Sequence, residues 1–290
     1  MSQAFVLQPG MEPFPGYTLH LPLGRGGNGE VWEAQRNDGT PVAFKFMRCR
    51  NSTAATKEVR SIQSLRKLDH PGLLPIYDVL LQPGYIVIAM ELAEGTLHDV
   101  LDAYVAEYGE ALEPELALHY LQPAAEALDF LNARRHVHES RTVGFQHCDI
   151  KPSNLLIVGE SVKLADYGLA TPMSGPLEPH GRAGTLDFAA PEVFRGQLSE
   201  RTDQYALAVT YCLLRGNRLP FANTPGRFTP SYSRGRPDLS MLTPAEQLAI
   251  AKALSVAPVH RFPSCAAMLQ ALRANLVPAS GGSKPRASQR

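Results

Sequence analysis

Residues 147–154 read HCDIKPSN, and residues 166–168 read DYG. In this stretch Asp149 offers a carboxylate that can accept a proton from an attacking hydroxyl, and Lys151 can stabilise the charge of a transferring phosphoryl group. Asn154 and Asp166 offer the hard oxygen ligands that Mg²⁺ prefers in proteins. These four side chains form a complete set for phosphoryl transfer, and their order and spacing are far more specific than the polarity of an ordinary loop.

A glycine-rich segment, Gly24-Arg25-Gly26-Gly27-Asn28-Gly29, lies upstream and is followed by Val31. It falls between two predicted strands, whereas the dinucleotide fingerprint and the Walker loop both need a following helix. A glycine-rich β-turn can bring bare main-chain amides close to a triphosphate. A flexible hairpin has the same sequence pattern, so this segment gains weight only from the residues around it.

Lys45 lies on the third predicted strand, between apolar neighbours in the sequence VAFKF. Burying a lysine is costly unless an anion pairs with it. The candidate partners are nucleotide phosphates and Glu58, which is the only acidic residue between that strand and Asp69. For a lone lysine, a solvated charge at the end of a strand is the plainer interpretation, and the neighbouring motifs favour the paired one.

The residues around these motifs predict an α+β chain with two lobes of different secondary structure. Residues 17–92 hold short β-branched and aromatic runs separated by glycine-rich or NDG turns, which predict an antiparallel sheet, with one amphipathic helix over 54–68. Over residues 93–276 the apolar spacing predicts helices at 96–108, 114–134, 203–215, 244–254 and 264–276. We therefore expect a small antiparallel β-sheet N-lobe with one main helix, and a mainly α-helical C-lobe.

The two ends of the chain differ in composition from the rest. Residues 1–16 contain three prolines and two glycines and predict an irregular lead-in rather than a packed element. Residues 277–290 are rich in Ser, Gly, Pro, Lys and Arg, offer little to bury, and predict a disordered tail.

Composition excludes several functional classes. Lys plus Arg number 28 and Asp plus Glu also number 28, so the basic excess of a general nucleic-acid binder is missing. The longest apolar stretch, residues 205–214, is far shorter than the roughly 20 residues of a membrane-spanning helix, and residues 1–10 lack the features of a secretory signal. Four scattered cysteines without a CxxC pair predict small buried hydrophobes rather than a zinc or disulfide framework. A cytoplasmic location, with neither membrane nor nucleic acid as partner, is the resulting expectation.

The motifs resemble those of the eukaryotic-type (Hanks-type) Ser/Thr protein kinase domain, including its bacterial versions, over residues 17–276. The resemblance implies a bilobal kinase fold with an N-lobe at 17–92 and a C-lobe at 93–276. It also implies an enzyme that transfers the γ-phosphoryl group of ATP, with Mg²⁺ or Mn²⁺ as the metal, to Ser or Thr hydroxyls of proteins.

The family pattern also implies roles for individual residues. Asp149 and Lys151 match the catalytic-loop pair, Asn154 and Asp166 match the metal ligands, and Lys45 matches the phosphate-binding lysine, with Glu58 as its ion-pair partner. The residues matched to nucleotide binding are Gly24, Gly26, Gly29, Val31, Ala43, Lys45, Met90, Glu91, Ala93 and Leu156. Met90 is the gatekeeper and residues 91–93 the hinge, while adenine lies between Val31 and Ala43 above and Leu156 below.

The segment that receives the substrate in the family also has counterparts here. Gly184-Thr185 and Ala190-Pro191-Glu192 match it, Asp203 resembles the aspartate that ties down the catalytic loop, and Arg261 resembles the partner of Glu192. We expect the Ala190-Pro191-Glu192 triplet, Asp203 and Arg261 to be architectural rather than catalytic.

Two departures from the family pattern concern Cys148 and Glu58. Cys148 replaces the arginine that normally pairs with a phosphate on the activation loop, so we expect activity without phosphorylation there. A common helix length would put Ser61 at the position of the lysine-pairing glutamate, and a helix longer by about one turn would bring Glu58 into that place.

Further departures lie near the catalytic loop. Residues 132–146 form a longer link than usual and contain His136 and His138, which we interpret as a solvent-exposed insertion rather than a metal site. Tyr167 stands where the family usually has Phe, which keeps the aromatic ring and adds a hydroxyl. The alternative functions are a pseudokinase that binds nucleotide or acts as a scaffold, and a small-molecule kinase, which would lack the segment at 184–192.

Overall fold

The N-terminal lobe is a five-stranded antiparallel sheet with one helix. A computed structural model describes residues 7–26, 29–48, 52–82, 84–181 and 183–276. Within them the strands of this sheet are β1 (Tyr17–Gly26), β2 (Gly29–Arg36), β3 (Pro41–Arg48), β4 (Ile76–Gln82) and β5 (Tyr85–Glu91), in the spatial order β1-β2-β3-β5-β4. Helix α1 (Ser52–Leu65) connects β3 to β4. The predicted meander, its helix and the two later strands are thereby confirmed.

Strand β3 separates the core of this lobe from the cleft below it. Side chains alternate between the two faces of a strand, and Val42, Phe44 and Phe46 pack in the core of the lobe. Ala43 and Lys45 therefore point the other way, and both line the cleft between the lobes. The alternation explains how a buried lysine is presented to the cleft from an apolar strand.

The lead-in at residues 7–16 contains no helix or regular strand, yet it packs against the sheet. Gly10 N–H donates to Leu19 O at 2.7 Å, and Leu19 N–H donates to Met11 O at 2.8 Å. Phe14 is buried, with its ring centroid 5.7 Å from that of Phe44. The predicted irregular conformation agrees with the structure over residues 7–16, whereas the expectation that these residues do not pack is wrong. Residues 1–6 of the predicted lead-in lie outside the described residues. The predicted tail at 277–290 lies outside the described residues.

The C-terminal lobe is mainly helical. Its helices are α2 (Leu97–Tyr108), α3 (Pro114–Asn132), α4 (Pro191–Phe194), α5 (Thr202–Gly216), α6 (Pro244–Ala253) and α7 (Cys265–Leu276). Its strands, all short, are β6 (Gly95–Thr96), β7 (His136–His138), β8 (Arg141–Gln146), β9 (Leu155–Val158), β10 (Ser161–Leu164), β11 (Thr171–Met173), β12 (Leu177–Pro179) and β13 (Gln197–Ser199). Twelve of the 15 residues of α5 are buried, so this helix forms the centre of the lobe. No described helix is both long and apolar enough to cross a lipid bilayer.

The long link into the predicted catalytic loop is a β-hairpin formed by β7 and β8. Glu139 and Ser140 both have positive φ, as a two-residue type I′ turn requires. His136 is buried and bonds through Nε2 to Phe130 O at 2.7 Å, and His138 Nδ1 lies 3.0 Å from Ser64 Oγ on α1. The expectation of a solvent-exposed insertion is therefore wrong for both histidines, because each packs against a neighbouring helix.

Candidate active site

Asp203 on α5 holds the loop between β8 and β9, which contains the predicted catalytic residue Asp149. The Asp203 carboxylate accepts the main-chain N–H of His147 at 2.6 Å and that of Cys148 at 2.9 Å. Cys148 has φ +70°, a left-handed conformation that is unfavourable for a residue with a side chain. The two hydrogen bonds offset this strain, and His147 Nε2 adds a contact with Ala165 O at 2.8 Å. Burial raises the pKa of Asp203, although its hydrogen bonds to the loop act in the opposite direction.

Asp149 sits on this loop with four hydrogen-bond donors around its carboxylate. Thr185 donates its main-chain N–H at 2.9 Å and its hydroxyl at 2.6 Å to Oδ1. Lys151 Nζ at 2.9 Å and Asn154 Nδ2 at 3.0 Å donate to Oδ2. Burial raises the pKa of Asp149, but the bonds from Thr185 and Lys151 together outweigh it and leave the pKa below its usual value. The carboxylate is therefore ionised at neutral pH and available as an acceptor.

An ion pair between Lys45 and Asp166 joins the two lobes. Lys45 Nζ lies 2.6 Å from Asp166 Oδ1, and the two side chains are only 10% and 17% exposed. Asp166 follows β10 with φ +66°, so a left-handed residue directs this carboxylate to the lysine. The predicted partner Glu58 belongs to α1, but its side chain lies outside the described part of the chain. The Lys45–Glu58 pair therefore stays a prediction.

Tyr167 anchors the residue after Asp166 in the core. Its hydroxyl donates to Leu164 O at 2.5 Å and accepts the main-chain N–H of Leu74 at 3.0 Å. Burial raises the pKa of the Tyr167 phenol far above its usual value, so the group stays a neutral donor. The hydroxyl that distinguishes Tyr167 from Phe thus ties the DYG segment to the turn that precedes β4.

A cavity of about 450 Å³ lies between the two lobes. Eight of the ten predicted nucleotide contacts line it, namely Gly24, Val31, Ala43, Lys45, Met90, Glu91, Ala93 and Leu156. Gly26 and Gly29 instead form the last pair of the β1–β2 hairpin. A Cβ at Gly29 would lie 2.0 Å from Phe46 O, so the close approach of two strands accounts for this glycine. Asn154 and Asp166 line the same cavity.

Sequence reasoning missed several residues of the cavity wall. The missed residues include Leu74, Thr96, Asp99, Ser153 and Tyr167. Thr96 and Asp99 form the capping box that starts α2. That signature is visible in the sequence as a helix start, but nothing local to it indicates that the helix begins at a cleft.

The hinge between the lobes is held on both sides of Ala93. Glu91 pairs with Lys163 at 2.6 Å, and Glu94 N–H donates to Ile157 O at 2.9 Å. The main-chain N–H of Ala93 makes no hydrogen bond to any part of the chain that the structure describes. Ala93 also lines the cavity.

A buried ion pair supports the segment after Thr185. Arg261 donates from Nη1 and Nη2 to the two carboxylate oxygens of Glu192, each at 2.7 Å. Ser199 and Thr202 also donate to Oε1 of Glu192. Burial raises the pKa of Glu192, and the bonds and charge of Arg261 outweigh it, so the pKa lies below its usual value.

The fold and the cleft define a class of two-lobed proteins. In this class a lysine from an antiparallel sheet pairs with an aspartate of a helical lobe beside a cavity that opens to solvent. The chain belongs to the protein kinase domain family, whose family model matches residues 17–247.

Three relatives illustrate the similarity. The chain is 30% identical to the serine/threonine-protein kinase PknF of Mycobacterium tuberculosis in an alignment of 296 positions, gaps included, that covers 95% of this chain and 60% of PknF. It is 29% identical to the serine/threonine-protein kinase PrkC of Bacillus subtilis over 85% of this chain and 38% of PrkC. It is 32% identical to the probable serine/threonine-protein kinase zyg-1 of Caenorhabditis elegans over 70% of this chain and 28% of zyg-1. The chain thus spans less than two thirds of the length of these relatives.

Proposed function

We propose that this chain is an ATP-dependent serine/threonine protein kinase, which transfers the γ-phosphoryl group of Mg-ATP to Ser or Thr hydroxyls of proteins. The observation that carries the proposal is the position of Asn154. Its side chain lines the cavity beside Lys45 and Asp166, and its Nδ2 also donates to Asp149. One residue therefore links the predicted phosphate and metal groups to the predicted catalytic carboxylate.

The cavity suits a nucleotide in both size and lining. Its volume of about 450 Å³ is within the range of sites that enclose small ligands. Val31 and Ala43 on one wall and Leu156 on the other offer apolar surfaces for adenine, and the Ala93 N–H offers a donor. Lys45 and the main chain at Gly24 would hold the triphosphate.

Asn154 and Asp166 fit a divalent metal ion. The Asn154 amide uses its nitrogen for Asp149, and in the described residues no donor bonds to its Oδ1. Asp166 uses Oδ1 for Lys45, so its second oxygen is available to a cation. Such hard oxygen donors suit Mg²⁺, or Mn²⁺ in its place. When bound, the metal would neutralise charge that develops on the phosphate oxygens.

Asp149 would orient the acceptor hydroxyl and take its proton. The hydroxyl oxygen forms a bond to the γ-phosphorus while the bond between that phosphorus and the bridging oxygen of ADP breaks, and the proton passes to Asp149. Lys151 lies beside Asp149 and would stabilise the charge on the transferring group. Positioning and charge stabilisation supply most of such catalysis.

No observation favours the two alternatives. A pseudokinase would be expected to lack part of the set formed by Lys45, Asp149, Asn154 and Asp166, which is complete here. A small-molecule kinase has no use for the segment at 184–192, which here contacts Asp149 through Thr185. The expected cytoplasmic location stays a prediction.

Transfer of radiolabelled γ-phosphate to casein tests the proposed function. The purified chain is expected to label casein with Mg²⁺ or Mn²⁺ present and not with a chelator. Acid hydrolysis of the labelled casein should give phosphoserine and phosphothreonine without phosphotyrosine. Binding of Mg-ATP without any transfer to protein would support the pseudokinase instead.

Activity is expected to be independent of activation-loop phosphorylation. The Cys148 thiol carries no charge to attract a phosphate, because burial raises its pKa well above the usual value. Three hydroxyls between the DYG segment and Ala190 could accept a phosphate, those of Thr171, Ser174 and Thr185, and each already has an acceptor. Thr171 donates to Leu169 O, Ser174 to Glu178 and Thr185 to Asp149. A phosphate on Ser174 would also be repelled by Glu178.

Phosphatase treatment measures this independence. The treated enzyme should keep its kcat within about twofold of the untreated enzyme. Thr171→Ala and Ser174→Ala should also keep it within about twofold, because the neutral Cys148 cannot pair with a phosphate at either position. A large loss of kcat after dephosphorylation, reversed by incubation with Mg-ATP, would contradict the expectation.

Tyr167→Phe is expected to loosen Asp166 without disturbing the fold. The substitution removes a buried hydroxyl worth about 1 kcal/mol of stability. Since the neighbouring Asp166 is then held less firmly, the Mg²⁺ concentration for half-maximal activity should rise by up to about fivefold.

Tyr211→Phe is the matched control, because it removes a buried hydroxyl that bonds Glu246 at 2.6 Å, away from the cavity. It should lower the melting temperature and leave the Mg²⁺ dependence unchanged. The same Mg²⁺ dependence in both variants would show that the Tyr167 hydroxyl serves stability alone.

A further inference from the structure

Arg234 is a buried cation in an irregular and largely exposed stretch of the C-lobe. Residues 217–243, between α5 and α6, contain no helix or strand. Arg227 and Arg236 in this stretch are exposed, whereas Arg234 is only 6% exposed. Burying a guanidinium is unfavourable unless other groups replace its water shell. The groups around Arg234 therefore indicate what it does.

Main-chain carbonyls surround this guanidinium. Its Nε donates to Ala189 O at 2.9 Å, and its Nη2 donates to Leu186 O at 2.5 Å and to Asp187 O at 2.8 Å. Across the described ranges no carboxylate forms an ion pair with Arg234, and its Nη1 is buried without a hydrogen-bond partner. Arg261, the other buried arginine nearby, is paired with Glu192. Arg234 is thus bound to main chain rather than to an opposite charge.

Three aromatic rings complete the environment. The guanidinium carbon lies 4.7 Å from the ring centroid of Phe221, 5.5 Å from that of Phe194 and 6.0 Å from that of Tyr205. Ring faces stabilise a cation that has lost its water. They also fix the orientation of the guanidinium, so its donors point to the three carbonyls in one geometry.

The three carbonyls belong to the turn that follows Thr185. The N–H groups of Phe188 and Ala189 both donate to Thr185 O at 3.1 Å, which closes this turn on itself. Thr185 in turn donates to Asp149. One end of the turn is therefore held by the proposed catalytic carboxylate and the rest by Arg234. An apolar side chain could fill the same space, but it could not satisfy three carbonyls.

We propose that Arg234 is a positioning residue for the protein acceptor. Its planar guanidinium holds residues 186–189 in one conformation, and this conformation determines how tightly the acceptor binds beside Asp149. Lysine cannot replace it, because a single ammonium nitrogen does not reproduce the divergent donors of a guanidinium. The statement that the acceptor is a protein rests on the proposed function, whereas the statement that Arg234 holds residues 186–189 does not.

Hydrogen–deuterium exchange of the full chain tests whether Arg234 holds the turn at residues 186–189. Arg234→Lys keeps the charge, Arg234→Met keeps the length, and Arg236→Met is the control for an exposed arginine two residues away. Amides of residues 184–190 should exchange faster by about tenfold or more in both Arg234 variants and at the wild-type rate in the control. Unchanged exchange at 184–190 in folded Arg234→Lys would overturn the proposal.

Steady-state kinetics test whether this conformation of the turn affects binding of the protein acceptor. In Arg234→Lys the KM for casein should rise by about fivefold or more, while the KM for ATP and acceptor-free ATP hydrolysis stay within about twofold. An equal rise in both KM values would reveal a general disturbance and overturn the positioning role. If the wild-type chain transfers no phosphate, the proposed function fails, and the exchange experiment still decides whether Arg234 holds the turn.

If neither Arg234 variant folds, Phe221→Leu tests whether Arg234 positions the turn at residues 186–189. It removes the nearest ring face from the guanidinium but introduces no buried charge without partners. Faster exchange at 184–190 and a selective rise in the KM for casein would support the proposal, and wild-type values of both would overturn it.

Discussion

Asp149→Asn is expected to lower kcat for phosphoryl transfer by about 10²- to 10⁴-fold, the range that a positioned base contributes. Asn is nearly identical in shape, but its neutral amide cannot take the hydroxyl proton and replaces one oxygen with an NH₂ donor. Thr185 donates twice to Oδ1, and Lys151 and Asn154 donate to Oδ2. One of these two sets of donors must therefore face an NH₂ group, so the orientation of the loop is disturbed as well as its charge.

The Kd for Mg-ATP distinguishes this catalytic effect from misfolding. Asp149 is not among the residues that line the cavity, so Asp149→Asn should bind Mg-ATP with a Kd within about threefold of wild type. Asp129→Asn is a matched control, since Asp129 accepts the N–H groups of Cys265 and Ala266 at the start of α7. It should lower the melting temperature and leave kcat nearly unchanged. A kcat for Asp149→Asn within tenfold of wild type would contradict the assigned role of the carboxylate.

Local patterns predicted most of the fold. The helix predicted at 114–134 is observed as Pro114–Asn132, and that predicted at 244–254 as Pro244–Ala253. Each begins at a proline, which is favoured in the first turn of a helix, and continues with apolar residues at helical spacing. The NDG turn also formed as expected, with Gly39 at φ +86°. These features depend on neighbours in sequence, which is why the sequence alone indicates them.

Contacts between distant residues explain what the sequence did not reveal. His138 bonds Ser64, which lies 74 positions earlier in the sequence. The hairpin at 136–146 therefore packs on α1 through a contact that no local sequence pattern can predict. Arg234 reaches carbonyls 45 to 48 positions earlier. A carbonyl belongs to the main chain and has no sequence signature, so this buried arginine looks like its exposed neighbours until the turn at 186–189 is placed beside it.

Arg261→Met is expected to lower the free energy of unfolding by about 3–5 kcal/mol, because it leaves the buried Glu192 carboxylate without its charge partner. Ser199 and Thr202 still donate to Oε1 in this variant, but two hydroxyls do not replace a bidentate guanidinium. Urea unfolding at pH 7 measures the loss. Arg66→Met is the control, since the Arg66–Asp78 pair is about 40% exposed on both sides; an exposed pair contributes less than about 1 kcal/mol.

The loss of stability in Arg261→Met could come from the unpaired Glu192 carboxylate or from the cavity that the arginine leaves, and its pH dependence distinguishes these two causes. In the wild type the pKa of Glu192 is below its usual value, so the stability from the pair is fully present above the unfolded-state pKa of about 4.3 and is lost as pH falls through the folded-state pKa. Without Arg261, burial dominates and raises the pKa of Glu192, so the folded variant takes up a proton before the unfolded chain does. The difference in unfolding free energy between wild type and Arg261→Met should therefore shrink as pH falls from 7 to 5. A difference that stays constant over this range would mean that the lost packing of the arginine side chain, rather than the carboxylate left behind, destabilises the variant.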